Sequence, residues 1–528
     1  MKLKRSLATM VFVSLMACMA SAAYATQPKY VFFFLGDGMS SSQIQATEAY
    51  MTTVNGGSAM LATDLLKPEN RLNMSKMPVA GMQTTFDAHA LMTDSASSAT
   101  AFACGIKTLS GVIGMDDTKT TRYKSIAQLA HEAGMKVGIL SSVSLDHATP
   151  AAYYASVPSR SDMNGIAAQL AETDYEFFGG GGLVKTEAPI NVLQLLEDNG
   201  YEILNTREAI LSLKDDPRDK VICINPTLDG SKAMPYDIDK PEENLSLAEM
   251  TEIAIATLYE GRRNGKWGKG WDRKRRHRDE GFFIMVEGGK IDWACHANDA
   301  VATIGDMMDF DNAVGKALEF YEKHPHETLI VVTGDHETGG MTIGHATTGY
   351  KAYYDKLLGQ TKSYENFDAN DWEPHKAANK DSVCGSYIGV DNLAADTVMI
   401  DKMNTFFGLD YTATSTDPKA PNPAALNEYQ KKKLEDAYDK SMCGSNDNSG
   451  AENTYLYGGY EPFIVTITHI LNERASIGWT SYSHTGVPVP VFAQGREAER
   501  FSGFYDNTDI AKKLARALNL ERLPVEKE

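Results

Sequence analysis

The sequence is short of positive charge and has no long apolar run beyond its first 25 residues, and both shortages exclude classes of protein. Its 528 residues include 51 Lys and Arg against 70 Asp and Glu, a formal net charge of −19. Because nucleic-acid binding depends largely on cations that neutralise phosphates, general DNA or RNA binding is not expected. Binding to anionic lipid is disfavoured for the same reason. Without ~20 consecutive apolar residues, the body of the chain supplies no membrane-spanning helix.

Cysteine is also scarce, with six residues in the whole chain. Five of them lie beyond residue 25, and an odd number leaves at least one thiol free even in an oxidising compartment, so a disulfide scaffold is excluded. Cys104 lies in a run of small residues, which indicates a buried thiol. Cys384 and Cys443 flank a stretch rich in Pro and Asn, and the sequence leaves open whether they pair.

The overall composition is that of a large globular protein. Hydrophobic residues make up 43% and charged residues 23%, which excludes a disordered or fibrous protein. One segment, residues 262–278, contrasts with the general acidity because it contains nine Lys or Arg. We interpret it as a solvated loop, and the alternative is a local patch that steers anions towards a nearby site.

The N-terminus has the pattern of an export signal over residues 1–25. Three basic residues within positions 2–5 precede an uncharged apolar run over 7–20, and Ala23-Tyr24-Ala25 offers a small-x-small cleavage site. A mature chain that begins near Thr26 is expected in the periplasm or outside the cell. The alternative is a lipoprotein anchored at Cys18, because residues 15–18 form a passable lipid-attachment motif.

Short apolar runs rich in β-branched and aromatic residues alternate with helical patterns. This alternation predicts an α/β fold, a three-layer α/β/α sandwich around a large, mostly parallel sheet. The predicted strands are Tyr30–Leu35, Val137–Ser142, Phe282–Val286, Leu329–Thr333 and Val487–Ala493. The predicted helices include Ser125–Ala133, Met163–Glu172 and Ala313–Lys323. In such sheets ligands bind beyond the carboxyl ends of the strands, so functional side chains should follow the strands directly.

Residues 347–470 interrupt this alternation. They carry 11 of the 24 tyrosines, no Arg, and 18 acidic residues against 11 Lys. We interpret the segment as an insertion within a single domain of residues 26–528, where it caps a functional site or contacts another subunit. The alternative is a solvated surface excursion.

A second irregular run, Phe177–Gly182, lacks the context of a nucleotide-binding motif and is interpreted as a tight loop.

Two loops carry the first candidate residues. Asp37 lies between Gly36 and Gly38, and flanking glycines let a carboxylate approach a ligand closely. Ser95 lies in a run of small residues, and a helix that begins just after it would place the hydroxyl at the positive end of the helix dipole. Each feature also has a simpler interpretation, which is a turn for Asp37 and a helix cap for Asp94 or Ser95.

Later loops add carboxylates and imidazoles as candidate ligands. They are Glu287, Asp292, His296, Asp335, His336 and His484. Asp292 and His296 are four residues apart, so on a helix they share one face and can bind one ion. Asp335 and His336 are adjacent at a strand end framed by glycines. Because all six offer oxygen or nitrogen and none a thiolate, the set suits Zn²⁺ with mixed His and carboxylate ligands, plus an oxygen-rich site for Mg²⁺.

From about residue 30 to about residue 495 the chain resembles the alkaline phosphatase family. The resemblance rests on matching motifs in the same order: Gly36–Met39, Thr93–Ala96, His147–Pro150, Arg160, Glu287-Gly288, Asp292 with His296, Gly334–Glu337, and His484. It implies an exported, metal-dependent enzyme that hydrolyses phosphate monoesters and releases inorganic phosphate. It also implies two zinc ions and one magnesium ion, and a homodimer.

The resemblance assigns a role to each matched residue. The first zinc ion would have three protein ligands: Asp292, His296 and His484. The second would have four: Asp37, Asp335, His336 and the Ser95 oxygen. Magnesium would be held by Glu287 and Thr149, with Asp37 as a bridge. Arg160 would bind two phosphate oxygens in a bidentate manner.

The implied reaction proceeds through a phosphoserine on Ser95, which water then hydrolyses. The serine needs no histidine base in this scheme, and no Ser-His-Asp triad is recognisable. His147 and Trp293 stand where some family members have Asp and Lys near magnesium and phosphate. We expect both to act outside the direct ligands, and phosphate to be held more weakly than a lysine would hold it.

Three alternative functions remain at this point. A related metal-dependent phosphodiesterase shares the ligand chemistry. A sulfatase would need a Cys/Ser-x-Pro-x-Arg motif, whereas Ser95 is followed by Ala96-Ser97-Ser98. A protein that binds phosphate without catalysis would have no need for Ser95, Arg160 and the full set of metal ligands.

Overall fold

A computed structural model describes residues 27–260, 281–384, 392–416 and 422–527. The predicted export signal with Cys18 and the basic segment 262–278 lie outside these residues. The strands are β1 Tyr30–Gly36, β2 Val79–Thr84, β3 Lys136–Ser141, β4 Phe177–Gly180, β5 Glu202–Leu204, β6 Val221–Ile224, β7 Phe282–Gly288, β8 Thr328–Gly334, β9 Glu337–Thr338, β10 Thr342–Ile343, β11 Asp410–Thr414, β12 Ala425–Leu426, β13 Ile477–Gly478, β14 His484–Thr485, β15 Val489–Gly495 and β16 Gly503–Asp506.

The α-helices of the described residues fall between these strands and within residues 347–470. They are α1 Ser41–Val54, α2 Ala62–Leu65, α3 Ser95–Cys104, α4 Ile126–Glu132, α5 Ala148–Ala151, α6 Met163–Ala171, α7 Val192–Asp198, α8 Arg207–Leu211, α9 Leu247–Glu260, α10 Lys290–His296, α11 Ala300–Lys323, α12 Tyr364–Phe367, α13 Glu373–Cys384, α14 Thr397–Phe407, α15 Glu428–Cys443, α16 Gly450–Tyr457, α17 Pro462–Ala475 and α18 Thr508–Ala517. Within the described ranges, no helix is both long and apolar enough to span a bilayer.

Ten strands form one central sheet in the order β16-β2-β15-β8-β1-β7-β3-β4-β6-β5. Every neighbouring pair is parallel except the two made by β15, which runs antiparallel to β2 and β8. The predicted mostly parallel sheet is thus confirmed. The last predicted strand is displaced by two residues, to Val489–Gly495.

The two faces of the sheet are covered by separate apolar cores. On β1, Val31, Phe33 and Leu35 point into one core, and the alternating residues Phe32 and Phe34 point into the other. The first core is completed by helices α3, α4, α6 and α18, and the second by α1, α9 and α11. Because β1 is buried on both faces, its sequence is continuously apolar instead of alternating, which is typical of a parallel strand.

The prediction of a tight loop at Phe177–Gly182 is wrong, because Phe177–Gly180 is the buried strand β4. Phe177 and Phe178 enter opposite cores, as alternate residues of a strand do. The glycines permit close packing: a Cβ on Gly180 would lie 1.9 Å from the Ser141 carbonyl oxygen of the neighbouring strand.

The described part of 347–470 contributes none of the ten strands of the central sheet. It builds a third core in which the rings of Trp372, Tyr438 and Phe463 meet, and this core extends to residues of α1 and α11. A disulfide joins Cys384 at the end of α13 to Cys443 at the end of α15, which answers the question that the sequence left open. Cys104 is a buried free thiol, as predicted.

Candidate metal centre and phosphate site

Three neighbouring strands end at the same level and bring their carboxylates together. In the register of the sheet, Gly36 of β1 lies beside Gly288 of β7 and Gly334 of β8. Asp37 and Asp335 are the next residues after β1 and β8, and Glu287 is the penultimate residue of β7. The strand-end placement that the sequence predicted is therefore observed.

Gly38 must be a glycine because its backbone conformation and its close neighbours leave no room for a side chain. Its φ is +74°, and a Cβ there would lie 2.9 Å from the Cα of Asp292 and 3.0 Å from Oγ1 of Thr338. The Gly38 amide donates a hydrogen bond to Asp335 Oδ1 over 3.1 Å. The turn after β1 thus fits closely against helix α10, which carries Asp292, and against the segment after β8, which carries Asp335.

Asp37, Asp335 and His336 form one buried group of ligand atoms, all within 4.8 Å of one another. His336 Nε2 lies 3.1 Å from Asp335 Oδ2 and 3.5 Å from Asp37 Oδ1. Neither His336 Nε2 nor Asp37 Oδ1 has a hydrogen-bond partner of acceptable geometry. Unsatisfied polar atoms this deeply buried are costly, and a bound cation would satisfy both of them.

A second group consists of Asp292, His296 and His484. His296 Nε2 lies 3.3 Å from Asp292 Oδ2 and 3.1 Å from His484 Nε2, and His484 Nε2 lies 3.6 Å from Asp292 Oδ1. Asp292 and His484 also group with His336, whose ring stacks on that of His484 with centroids 3.6 Å apart. The two groups are therefore adjacent.

Backbone carbonyls orient the two histidines of the second group. Nδ1 of His296 lies 2.6 Å from the carbonyl oxygen of Tyr482, and Nδ1 of His484 lies 2.7 Å from that of Thr93. Each Nδ1 must carry a proton to donate these bonds, so in the neutral rings both Nε2 lone pairs face the same point. This is the tautomer that a histidine needs to bind a metal ion through Nε2.

Glu287 lies in a third, oxygen-lined position. It is fully buried, Ser141 Oγ donates to its Oε2, and its Oε1 has no partner. Thr149 Oγ1 donates to Asp37 Oδ2 over 3.4 Å, and both side chains lie close enough to Glu287 to influence its pKa, so the three predicted magnesium ligands are neighbours. Ser141 was not predicted, although it pairs with Glu287 in the register of β3 and β7. A hydroxyl and carboxylates are the donors that magnesium prefers.

The charge balance of these groups favours cations. Burial raises the pKa of Asp37 well above its ordinary value, and repulsion from Asp335 adds to it. Burial likewise raises the pKa of Glu287 to about 7 and that of Asp335 to about 6, whereas it lowers the pKa of His336 well below its usual range. The part of the site around Asp37, Glu287 and Asp335 thus confines more negative charge than it can stabilise alone, and divalent cations would balance that charge.

Ser95 is the first residue of α3, so the helix begins one residue earlier than predicted, and Asp94 is its N-cap, as the simpler interpretation had it. The carboxylate of Asp94 caps this helix by accepting from the Ser97 amide over 3.0 Å, and Ser95 is almost fully buried. One turn later, Ser98 Oγ donates to Asp335 Oδ2 over 3.0 Å. Residues three apart share a helix face, so Ser95 lies on the face that is turned towards Asp335.

Arg160 lies beside this helix N-terminus. Its Nη1 donates to Asp94 Oδ2 over 2.9 Å, and its Nη2 lies 3.1 Å from His147 Nε2. Burial, followed by repulsion from Arg160, lowers the pKa of His147 to about 3, so the neutral ring accepts the arginine N–H. Trp293 meets His147 edge to face, with ring centroids 6.0 Å apart. The link from Asp94 to Arg160 was not predicted.

Comparisons with known proteins identify the family to which the chain belongs. The family model described as alkaline phosphatase matches residues 28–178 and 185–520. Alkaline phosphatase 3 of Bacillus subtilis is 29% identical over 499 residues, which cover 93% of this chain and 89% of the relative. Alkaline phosphatase 4 of the same organism is also 29% identical, over 91% of this chain and 87% of its own.

Solved structures show the same fold. The cold-active alkaline phosphatase from a Shewanella species is 25% identical with a TM-score of 0.67, over 93% of this chain and 99% of its own. The enzyme from the Antarctic bacterium TAB5 is 26% identical with a TM-score of 0.57, over 94% and 99%. A mutant of the TAB5 enzyme was solved with Mg bound. On the family match over most of its length, this chain belongs to the alkaline phosphatase family and is a phosphatase.

Proposed function

We propose that the chain hydrolyses phosphate monoesters at alkaline pH through a phosphoserine on Ser95, with two zinc ions and one magnesium ion. The observation that carries this proposal is the pair of adjacent ligand groups around His336, next to the helix that begins at Ser95. Both groups contain nitrogen and oxygen donors, which suits zinc, and the position around Glu287 contains only oxygen, which suits magnesium.

The metal ligands in this proposal follow the three positions described above. One zinc ion would be held by Asp292, His296 and His484. The other would be held by Asp37, Asp335, His336 and the Ser95 oxygen. Magnesium would be held by Glu287 and Thr149, with Asp37 as a bridge. When bound, the zinc ions would supply positive charge that lowers the pKa of the serine hydroxyl and stabilises the leaving oxygen.

The chain's own residues perform the remaining steps. Arg160 binds two oxygens of the phosphoryl group and is held for this purpose by Asp94. Ser95 gives its proton to solvent, its Oγ forms a bond to phosphorus, and the bond from phosphorus to the ester oxygen breaks, so that the leaving oxygen takes a proton from solvent and departs as the alcohol. Water then attacks phosphorus and gives up a proton, the bond to Ser95 Oγ breaks, the serine oxygen is protonated again, and inorganic phosphate leaves. No separate base is required at Ser95.

The other candidate functions receive less support. A sulfatase lacks its maturation motif here, and an inactive phosphate-binding protein would not need a buried serine at the end of a helix beside two ligand groups. A phosphodiesterase remains the nearest enzymatic alternative. It is distinguished by comparing hydrolysis of p-nitrophenyl phosphate with that of bis(p-nitrophenyl) phosphate.

The test of the proposed function is an assay of the metal-loaded chain on p-nitrophenyl phosphate, with and without a chelator. We expect hydrolysis that the chelator abolishes, and a phosphoserine at Ser95 when the reaction is quenched with acid. Ser95→Ala should remove the phosphoserine and reduce kcat by several orders of magnitude. Full activity of Ser95→Ala, or activity that resists the chelator, would contradict the mechanism.

The setting of the enzyme is part of the same proposal. The pattern over residues 1–25 supports export to the periplasm or medium, with a lipid anchor at Cys18 as the alternative.

The family resemblance supports a homodimer, for which size-exclusion chromatography with light scattering is the direct measurement. The insertion, with its exposed Tyr429 and Tyr455, is our candidate for the cap or subunit contact.

A further inference from the structure

Lys290, the first residue of α10, has a side chain with no exposed surface. Its Nζ lies 3.0 Å from Oε2 of Glu365 and 3.6 Å from Oδ2 of Asp229. It also lies 3.7 Å from the ring centroid of Tyr236 and 5.1 Å from that of Trp293. A fully buried lysine is rare unless it is paired, and this ammonium group has carboxylates and aromatic faces around it.

The ion pair joins the insertion to the helix that carries candidate metal ligands. Glu365 belongs to α12, within the insertion, and α10 carries Asp292 and His296. Two further contacts hold α12 in the same place: the Tyr364 amide donates to Asp299 Oδ2 over 2.9 Å, and the hydroxyls of Tyr236 and Tyr364 are 3.3 Å apart. The insertion is thus attached directly to α10, the helix that carries Asp292 and His296.

A short series of contacts leads from this ion pair to the phosphate site. Trp293 is three residues after Lys290 and therefore lies on the same face of α10. Its ring meets His147, and His147 Nε2 lies 3.1 Å from Nη2 of Arg160. A displacement of Trp293 would consequently alter the contacts that orient the arginine.

We propose that Lys290 and Glu365 form a positioning pair, which holds Trp293 against His147 and so sets the orientation of Arg160 for phosphate. The proposal rests on the proposed role of Arg160. Buried ion pairs contribute little net stability, because desolvation offsets much of the attraction, so a positioning role explains this pair better than stabilisation does. A specificity role of this kind is documented for buried polar groups in some proteins.

The experiment compares Lys290→Met and Glu365→Gln in the full-length, metal-loaded chain. The matched control is Lys362→Met, because Lys362 also pairs with a carboxylate (2.7 Å from Asp371) and lies over a ring (Phe406), but within the insertion. We expect the KM for p-nitrophenyl phosphate and the inhibition constant of inorganic phosphate to rise ~3- to 10-fold in the two test variants, with a smaller change in kcat. The control should leave both constants unchanged.

A double-mutant cycle tests the route through Trp293. If Lys290 acts through this ring, Lys290→Met should cause little further change in the phosphate inhibition constant when Trp293→Leu is already present. A full additional rise in the double variant would overturn the proposal, as would an unchanged constant in a folded Lys290→Met protein. Should Lys290→Met not fold, Glu365→Gln carries the test, because it retains the lysine and a similar side-chain volume.

Arg160→Ala separates this inference from the proposed function. If Arg160→Ala leaves the inhibition constant of phosphate unchanged, the proposed role of Arg160 is wrong. The inference about the positioning pair then fails with it. If Arg160→Ala weakens phosphate binding but neither Lys290→Met nor Glu365→Gln does so, only the inference about the pair is wrong.

Discussion

Arg160 Nη1 donates to Asp94 Oδ2 over 2.9 Å, and the other oxygen of the same carboxylate caps the helix that begins at Ser95. One side chain therefore connects the proposed phosphate-binding group to the proposed nucleophile. This connection explains how an arginine that is 29% exposed can keep a defined orientation at the edge of the site.

The first prediction concerns this connection. Asp94→Asn keeps an N-cap, since Asn and Asp cap helices about equally well, but it removes the charge that holds Arg160. We expect the inhibition constant of phosphate and the KM to rise several-fold, with little change in the free energy of unfolding. Asp94→Ala should show the same kinetic effect and also lose ~1 kcal/mol of stability. Unchanged phosphate affinity in both variants would refute the link.

The second prediction concerns metal removal and pH. In the metal-free protein the pKa of Glu287 is raised to about 7 and that of Asp335 to about 6, chiefly by burial. A carboxyl with a raised pKa in the folded state favours folding at low pH, and this contribution is lost as the pH rises through the raised pKa. The Tm of the metal-free protein should therefore fall between about pH 4 and pH 7, whereas that of the metal-loaded protein should not.

Glu287→Gln provides the control for this pH dependence. Because the amide does not titrate, the metal-free variant should show a smaller fall in Tm over the same range. Parallel pH profiles for the metal-free and metal-loaded proteins would show that burial does not raise the pKa of these carboxyl groups as described.

The third prediction concerns Trp293. Its indole offers one N–H and no charge, whereas a lysine there would add a cation beside His147 and Arg160. Trp293→Lys should therefore bind phosphate more tightly and show stronger product inhibition, which a phosphate titration of the initial rate would measure. If product inhibition stays the same, the expectation that Trp293 weakens phosphate retention is wrong.

The fourth prediction concerns the disulfide within the insertion. Cys384 and Cys443 are 59 residues apart, and replacing both with serine should lower the free energy of unfolding by ~2–4 kcal/mol. The effect on kcat/KM should be small, because the two helices that the bridge joins, α13 and α15, carry neither a proposed metal ligand nor a member of the Lys290–Glu365 pair. Chemical denaturation of the double variant and of the reduced wild-type protein should agree. A loss of activity at retained stability would instead show that the bridge shapes the site.

The strands that carry the site were predictable from the sequence, and several others were not. β1, β7 and β8 are continuous apolar runs that end in glycine and an acidic residue, so both their burial and their chemistry can be recognised locally. β4 was mistaken for a loop because its two glycines, which allow close approach to β3, are also typical of turns. The spacing of four residues predicted the shared face of Asp292 and His296 because helical geometry is itself local.

The residues that the sequence did not reveal act through distant partners. Lys290 was part of a recognised motif, but its burial depends on Glu365, 75 residues later, and on Asp229, in another loop. Ser141 faces Glu287 only because β3 and β7 are adjacent in the sheet. Such pairings follow from strand order and packing, which local patterns do not determine.

The measurement that tests the account most directly is elemental analysis of the same sample on which phosphatase activity is assayed. The account predicts two zinc equivalents and one magnesium equivalent per chain in the active protein. It also predicts that activity on p-nitrophenyl phosphate falls with zinc content when the metal is removed and returns when zinc is restored. Full activity in a sample with fewer than two zinc equivalents per chain would contradict it.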